Sequence, residues 1–244
     1  MTTSGPTAAP GGVVRVGRVF QQTVTVFLRN CPMFVAVTAV ADLPRLLVHK
    51  SGFLANTLGS AWKLFDVFVL LVTTTLAEAV VLQGAFDDMR GRKAELLKSI
   101  RAALARALPV IGLAIFMAFG IVVGVLFLVI PALFLLTIWY VATPACVVER
   151  LSIGESVDRS IQLTRGHRFK IFAMLAVLLI ADGVGASLLD SAFRGGRALL
   201  SEGVGFTWDA IWGAFYAVFG VVTYRELRLA KEGVDVHQIA SVFD

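Results

Sequence analysis

Apolar residues run along this chain in long unbroken stretches, not in the stripes of a soluble helix or the alternation of a half-buried strand. Six stretches stand out, at about 31–48, 64–86, 107–128, 131–148, 171–189 and 206–224. The middle two belong to one run, 107–148, of 42 residues without a formal charge. As a single helix it would be about 63 Å long, twice the roughly 30 Å of a hydrocarbon core, so it must fold back on itself. Pro131, after Leu128-Val129-Ile130, is the natural corner. Barrel strands would instead alternate over about 10 residues. The expected fold is an all-α integral membrane domain over 13–224, with six transmembrane helices in three hairpins. A disordered tail is expected over 1–12 and a cytoplasmic tail over 225–244.

Composition agrees. Hydrophobic residues make up 57% of the 244 residues and charged ones 16%, with a mean hydropathy of +0.82. Soluble domains run at about 45–50% apolar with Gly counted in, and about 25% charged. A soluble domain, a disordered chain, collagen and a coiled coil are excluded as overall classes. Cys31 and Cys146 are too few for a disulfide-stapled fold. The net charge is +5 and the pI about 9.6, which in a soluble chain would raise nucleic acid as a partner. Here the basic residues flank apolar spans, so the expected counter-charge is an anionic lipid headgroup, and no nucleic acid is expected. The first dozen residues lack the charged and apolar regions of a signal peptide.

Basic residues also set the orientation. Seventeen Lys and Arg fall on one side: Arg15, Arg18 and Arg29, six between Arg90 and Arg106, five between Arg150 and Lys170, then Arg225, Arg228 and Lys231. Five fall on the other: Arg45, Lys50, Lys63, Arg194 and Arg197. Both termini are therefore expected in the cytoplasm of a bacterium, with the spans in its inner membrane. Trp62, Trp208 and Trp212 fit the outer aromatic belt.

Three connections read as cytoplasmic amphipathic helices lying in the headgroup plane, over about 13–28, 92–106 and 153–166. In the second, Leu97, Ile100, Leu104 and Ala107 recur at helical spacing with basic residues between them. In the third, Ser152-Ile-Gly-Glu155 is a capping-box pattern ahead of Ile153, Val157 and Ile161. The expected anionic-lipid interface comprises Arg92, Lys93, Lys98, Arg101, Arg106, Arg159, Arg165 and Arg168. Each stretch ends in a basic junction: Arg29-Asn-Cys-Pro32, Arg106-Ala-Leu-Pro109 and Arg165-Gly-His-Arg168. With Ala41-Asp42 and Ala181-Asp182 at matching positions, these junctions suggest a threefold repeat of irregular period.

The stretch Pro144-Ala-Cys-Val-Val-Glu149-Arg, then Ser156-Val-Asp-Arg159-Ser160-Ile-Gln-Leu163-Thr-Arg165-Gly166, resembles the bacterial glycerophosphoryl diester phosphodiesterase membrane domain. Asp87-Asp-Met-Arg-Gly91-Arg is also similar, and the resemblance covers roughly 70–225. It implies a six-helix inner-membrane module. The soluble phosphodiesterase barrel, with its metal-binding residues, has no counterpart in the chain, so no catalytic residue is carried across.

Little chemistry is written in the motifs. His49, His167 and His237 lie on different segments, and neither a metal site nor a cofactor is expected. Ser60-Ala-Trp-Lys63 has the spacing of a serine–lysine dyad, but Lys63 beside Trp62 is an ordinary snorkelling pair. Gly185-Ala-Ser187 has no intramembrane histidine to act as base. Gly120-Ile-Val-Val-Gly124 is explained by close helix packing. No enzyme is expected.

Buried carboxylates remain. Glu78, Asp182 and Asp42 interrupt their spans, and ionisable groups there cost roughly 2.5–3.5 kcal/mol on insertion scales. Arg45 lies one turn from Asp42 and can pair with it. Glu78 is expected to be a hydrogen-bonded packing residue. The reading that results is a non-enzymatic module that interacts with lipid or scaffolds a membrane partner, another protein or a second copy. The alternative is a small solute or ion transporter or channel using Glu78 and Asp182.

Overall fold

A computed structural model describes residues 14–51, 62–127, 129–193 and 198–233, and no strand occurs among them. Nine helices follow one another in the described residues: α1 (Val16–Ser51), α2 (Trp62–Met89), α3 (Leu96–Leu104), α4 (Ala107–Phe127), α5 (Val129–Trp139), α6 (Ala142–Val148), α7 (Ile153–Thr164), α8 (Arg168–Phe193) and α9 (Ala198–Glu232). Six segments are long and apolar enough to cross a membrane: Val16–Pro44, Trp62–Met89, Ala107–Phe127, Ile130–Val148, Arg168–Phe193 and Leu200–Glu232. The chain is a multi-pass membrane protein. The tail over 1–12, Ser60, Arg194, Arg197, His237 and the rest of the C-terminal tail lie outside the described residues. So do the side chains of Arg45, His49 and Lys50, and with them the expected Asp42–Arg45 pair.

The first and last long helices form the centre. α1 lies along α9, and α2 packs against both. Phe20 meets Phe219 with ring centroids 5.2 Å apart, and Phe27 meets Phe215 edge-on at 5.6 Å. Farther along, the Thr38 hydroxyl donates to the Ala210 carbonyl at 2.7 Å. Phe34, Leu82, Leu113, Leu163, Phe219 and Tyr224 are fully enclosed. The outward faces stay apolar, with Leu108, Phe119 and Leu126 of α4 and Phe169, Ile180 and Leu188 of α8 exposed. A bilayer's acyl chains cover such surface, which in water would be an aggregation liability.

The three junctions that look alike in sequence differ in backbone. The stretch 13–28 is not a separate element: it runs into the first span as one helix, α1, with Pro32 and Pro44 inside it. Pro32 fixes a helical φ and removes one backbone hydrogen bond. The Asn30 side-chain amide, donating to the Val26 carbonyl at 3.2 Å, binds the turn before it. Pro109, by contrast, falls in the first turn of α4, where its missing N–H is already spare, and α3 and α4 stay separate. Between α7 and α8 the turn is made by Gly166 at φ +88°, a left-handed conformation that side chains resist.

Other boundaries move as well. The fourth span is broken: α5 ends at Trp139 and α6 begins at Ala142, leaving Tyr140 and Val141 between them. Pro144 accounts for the break, since it has no N–H for the Tyr140 carbonyl and its ring crowds that oxygen. α9 continues past 224 to Glu232, held by an Arg228–Glu232 pair one turn apart at 2.9 Å. The tail thus begins later than 225. Gly120 faces the Trp139 ring and Gly124 the Ala132 backbone, so this glycine pair serves the packing of α4 on α5.

Candidate functional site: an acidic cavity in the bundle

Where α1, α2 and α9 diverge they frame a half-open cavity of about 870 Å³. From α1 come Thr38 and Asp42, from α2 Leu70, Thr74 and Glu78, and from α9 a row of residues on one face. That row is Glu202, Gly205, Asp209, Gly213, Tyr216 and Gly220, spaced by three or four residues. It extends about 27 Å along the helix axis. Tyr140, at the break in the fourth span, completes the wall.

Glu78 sits deep. It is 16 residues after Trp62 and 11 before Met89, hence about 24 Å and about 17 Å from the two ends of α2. Its carboxyl lines the cavity and makes no hydrogen bond or ion pair to a described residue. The expected hydrogen-bonded packing role is therefore not what its surroundings provide. Tyr140 lies within electrostatic reach of Glu78 and Tyr216, and its buried hydroxyl makes no hydrogen bond among the described residues. Tyr216 stands edge-on to Trp212, with centroids 6.0 Å apart.

Of the three carboxylates singled out in the sequence, the cavity brings together Asp42 and Glu78 and leaves out Asp182. Asp182 instead accepts a hydrogen bond from the Trp208 indole at 3.0 Å, and that indole lies against Gly185. Its role is to dock α9 on α8. Glu202 and Asp209, absent from the sequence reading, take its place. Asp42, Glu202 and Asp209 each have a further polar or electrostatic interaction. Among the described residues the lining contains no Lys, Arg or His. Its carboxylates do not converge either, and no group of three His, Cys, Asp or Glu able to hold a metal occurs among the described residues.

At the other end of the bundle α6, α7 and α9 are tied by an ion-pair cluster. Arg159 grips Glu149 through its Nε, at 3.0 Å from both carboxylate oxygens, and its Nη2 at 2.9 Å. It also pairs with Glu232. Arg228 joins Glu232 at 2.9 Å and approaches Glu149 at 3.8 Å, and Tyr224 donates its hydroxyl to Glu149. Burial works against the Arg159 charge, but hydrogen bonds to Glu149 and Glu232 outweigh it and hold the pKa above the usual value. The 144–166 motif is thus largely architectural. Pro144 breaks the span, Glu149 and Arg159 pair, the Ser160 hydroxyl donates to the Ile138 carbonyl at 2.7 Å, and Leu163 is buried. The capping box is present, with the Ser152 backbone N–H and hydroxyl donating to Glu155 at 2.9 and 2.7 Å.

The basic residues proposed as a lipid interface divide in two. Arg92, Lys93, Arg101 and Arg165 are exposed, as is Lys98, which pairs with Glu95 at 2.7 Å. Arg106 donates to the Leu151 carbonyl at 2.9 Å, Arg168 lies over the Phe134 ring at 5.2 Å, and Arg159 belongs to the ion-pair cluster. These last three hold helices together. No family model, curated protein or solved structure matches the chain.

Proposed function

We propose that the chain is a small membrane carrier that takes a solute into the cavity between α1, α2 and α9. The supporting observation is the Glu78 carboxyl, which faces a half-open cavity deep in its span without a hydrogen-bond or ion-pair partner among the described residues. Ionisable groups at such depth mark solute or ion pathways. The cavity falls within the roughly 300–1,000 Å³ typical of small-molecule sites. Carrier sites are commonly built where a membrane helix is interrupted, and the interruption at Tyr140 lies in this wall. On this reading the Tyr224–Glu149–Arg159 cluster closes the opposite end. On the same reading the exposed Leu97, Leu104 and Arg101 of α3 seat the carrier at the headgroups.

Glu78→Gln is the test, because it keeps the shape and removes the charge. The variant should melt in detergent close to the wild type yet fail to complement a deletion strain. Glu78→Gln that folds and complements would sink the carrier reading and restore the packing role.

The charge asymmetry supports an inner-membrane location with both termini in the cytoplasm. A reporter fused after Lys231 should be active in the cytoplasm and one fused after Ser201 in the periplasm. Activity after Lys231 confined to the periplasm would refute the six-span topology.

A further inference from the structure

We propose that the solute is an organic ammonium ion with an apolar body, its charged nitrogen held at the Glu78–Tyr140 end of the cavity. The use of the site rests on the carrier reading, but its chemistry stands separately. Charge comes first: Glu78 brings a carboxyl without a hydrogen-bond or ion-pair partner among the described residues. The described lining adds Asp42, Glu202 and Asp209, each with a further interaction, but no basic side chain, so a cation is favoured over an anion. Geometry then separates a metal ion from a larger cation. Glu202 and Asp209 alone are two helical turns, about 10 Å, apart along α9, and no three acidic groups converge among the described residues. A bare ion would leave most of 870 Å³ unfilled.

The remaining wall fits the rest of such a molecule. Leu70, Ala77, Phe206 and Ala217 present apolar surface, and the Tyr140 and Tyr216 rings suit a cation at close range. The buried Tyr140 hydroxyl makes no hydrogen bond among the described residues and lies within electrostatic reach of Glu78. A buried hydroxyl without a partner is costly, and an ammonium N–H shared between it and the carboxylate supplies one. The ammonium ion would thus meet one negative charge, one hydroxyl oxygen and aromatic faces, with the apolar body directed along α9.

Three probes of one size and shape test this with the full chain in detergent: 4-phenylbutylammonium, 4-phenylbutanol and 4-phenylbutyrate. The ammonium should bind saturably and at least about tenfold more tightly than the alcohol, and the carboxylate should not bind. Glu78→Gln should reduce the preference for the ammonium over the alcohol to near unity. Equal binding of all three, or no saturation by the ammonium up to about 10 mM, would overturn the proposal. The comparison on the unaltered protein needs no variant, so misfolding of Glu78→Gln leaves it intact. Ammonium binding beside full complementation by a folded Glu78→Gln would sink the carrier reading and leave the ligand class standing. Failure to complement with no preference for the ammonium would do the reverse.

Discussion

Arg159→Met will lower the melting temperature of the solubilised protein more than removal of any other member of the ion-pair cluster. Its guanidinium pairs closely with both Glu149 and Glu232, whose side chains are only 19% and 27% exposed, whereas Arg228 bonds Glu232 and only approaches Glu149 at 3.8 Å. Methionine keeps much of the packing volume but leaves two half-buried carboxylates side by side, with Arg228 as their remaining cation. Breaking a buried pair costs about 3–5 kcal/mol, and partial access to water reduces this to the order of 2–3 kcal/mol here. Arg159→Lys should fall between, because an ammonium cannot reproduce the forked contact with Glu149. Tyr224→Phe should lose about 1 kcal/mol, one hydrogen bond's worth. A thermal melting series in detergent gives the order. If Arg159→Met melted with the wild type, the cluster would not hold α6, α7 and α9 together.

Gly124→Leu should come next in severity, through sterics alone. A Cβ at this position would lie 3.0 Å from Ala132 Cα and 3.1 Å from Ala132 N. Both are backbone atoms, so no rotamer can yield and α4 must part from α5. Overpacking of this kind costs about 1–3 kcal/mol. Displaced α5 also carries Tyr140 at its end, so probe binding should weaken along with stability. Gly183→Leu is the matched control, since nothing lies within 4 Å of a Cβ there and the residue is exposed on α8. A Gly124→Leu protein as stable as the Gly183→Leu protein would show that the α4–α5 contact is loose.

How much of this could be read in advance follows from how local each feature is. The six spans are local, because a charge-free run of 42 residues allows few alternatives. The break at Tyr140 is equally local, since Pro144 alone accounts for it. Pro32 pointed the other way and marked a boundary that α1 simply runs through. The cavity is not local. Glu202 and Asp209 look like ordinary residues near the mouth of a span until α9 packs against α1 and α2, which turns their face inward. Asp182 looked equivalent to Asp42 by depth, but depth says nothing about direction around a helix axis, and Trp208 occupies its carboxylate. Depth was legible in the sequence, azimuth was not.

Thr38 and Ala210, bonded in the finished bundle, stand 172 residues apart. A ribosome adding about 5–20 residues per second takes roughly 9–34 s to make the second after the first. Meanwhile α1 waits in the bilayer without its main partner, and its sequence tolerates the delay. Phe20, Phe27 and Phe34 are at home among acyl chains, and the Thr38 hydroxyl already has the Phe34 and Val35 carbonyls at 3.2 and 3.1 Å. Only when α9 docks do α1, α2 and α9 together frame the acidic cavity. A half-synthesised chain therefore does not yet contain the cavity, whose walls come from both ends of the sequence.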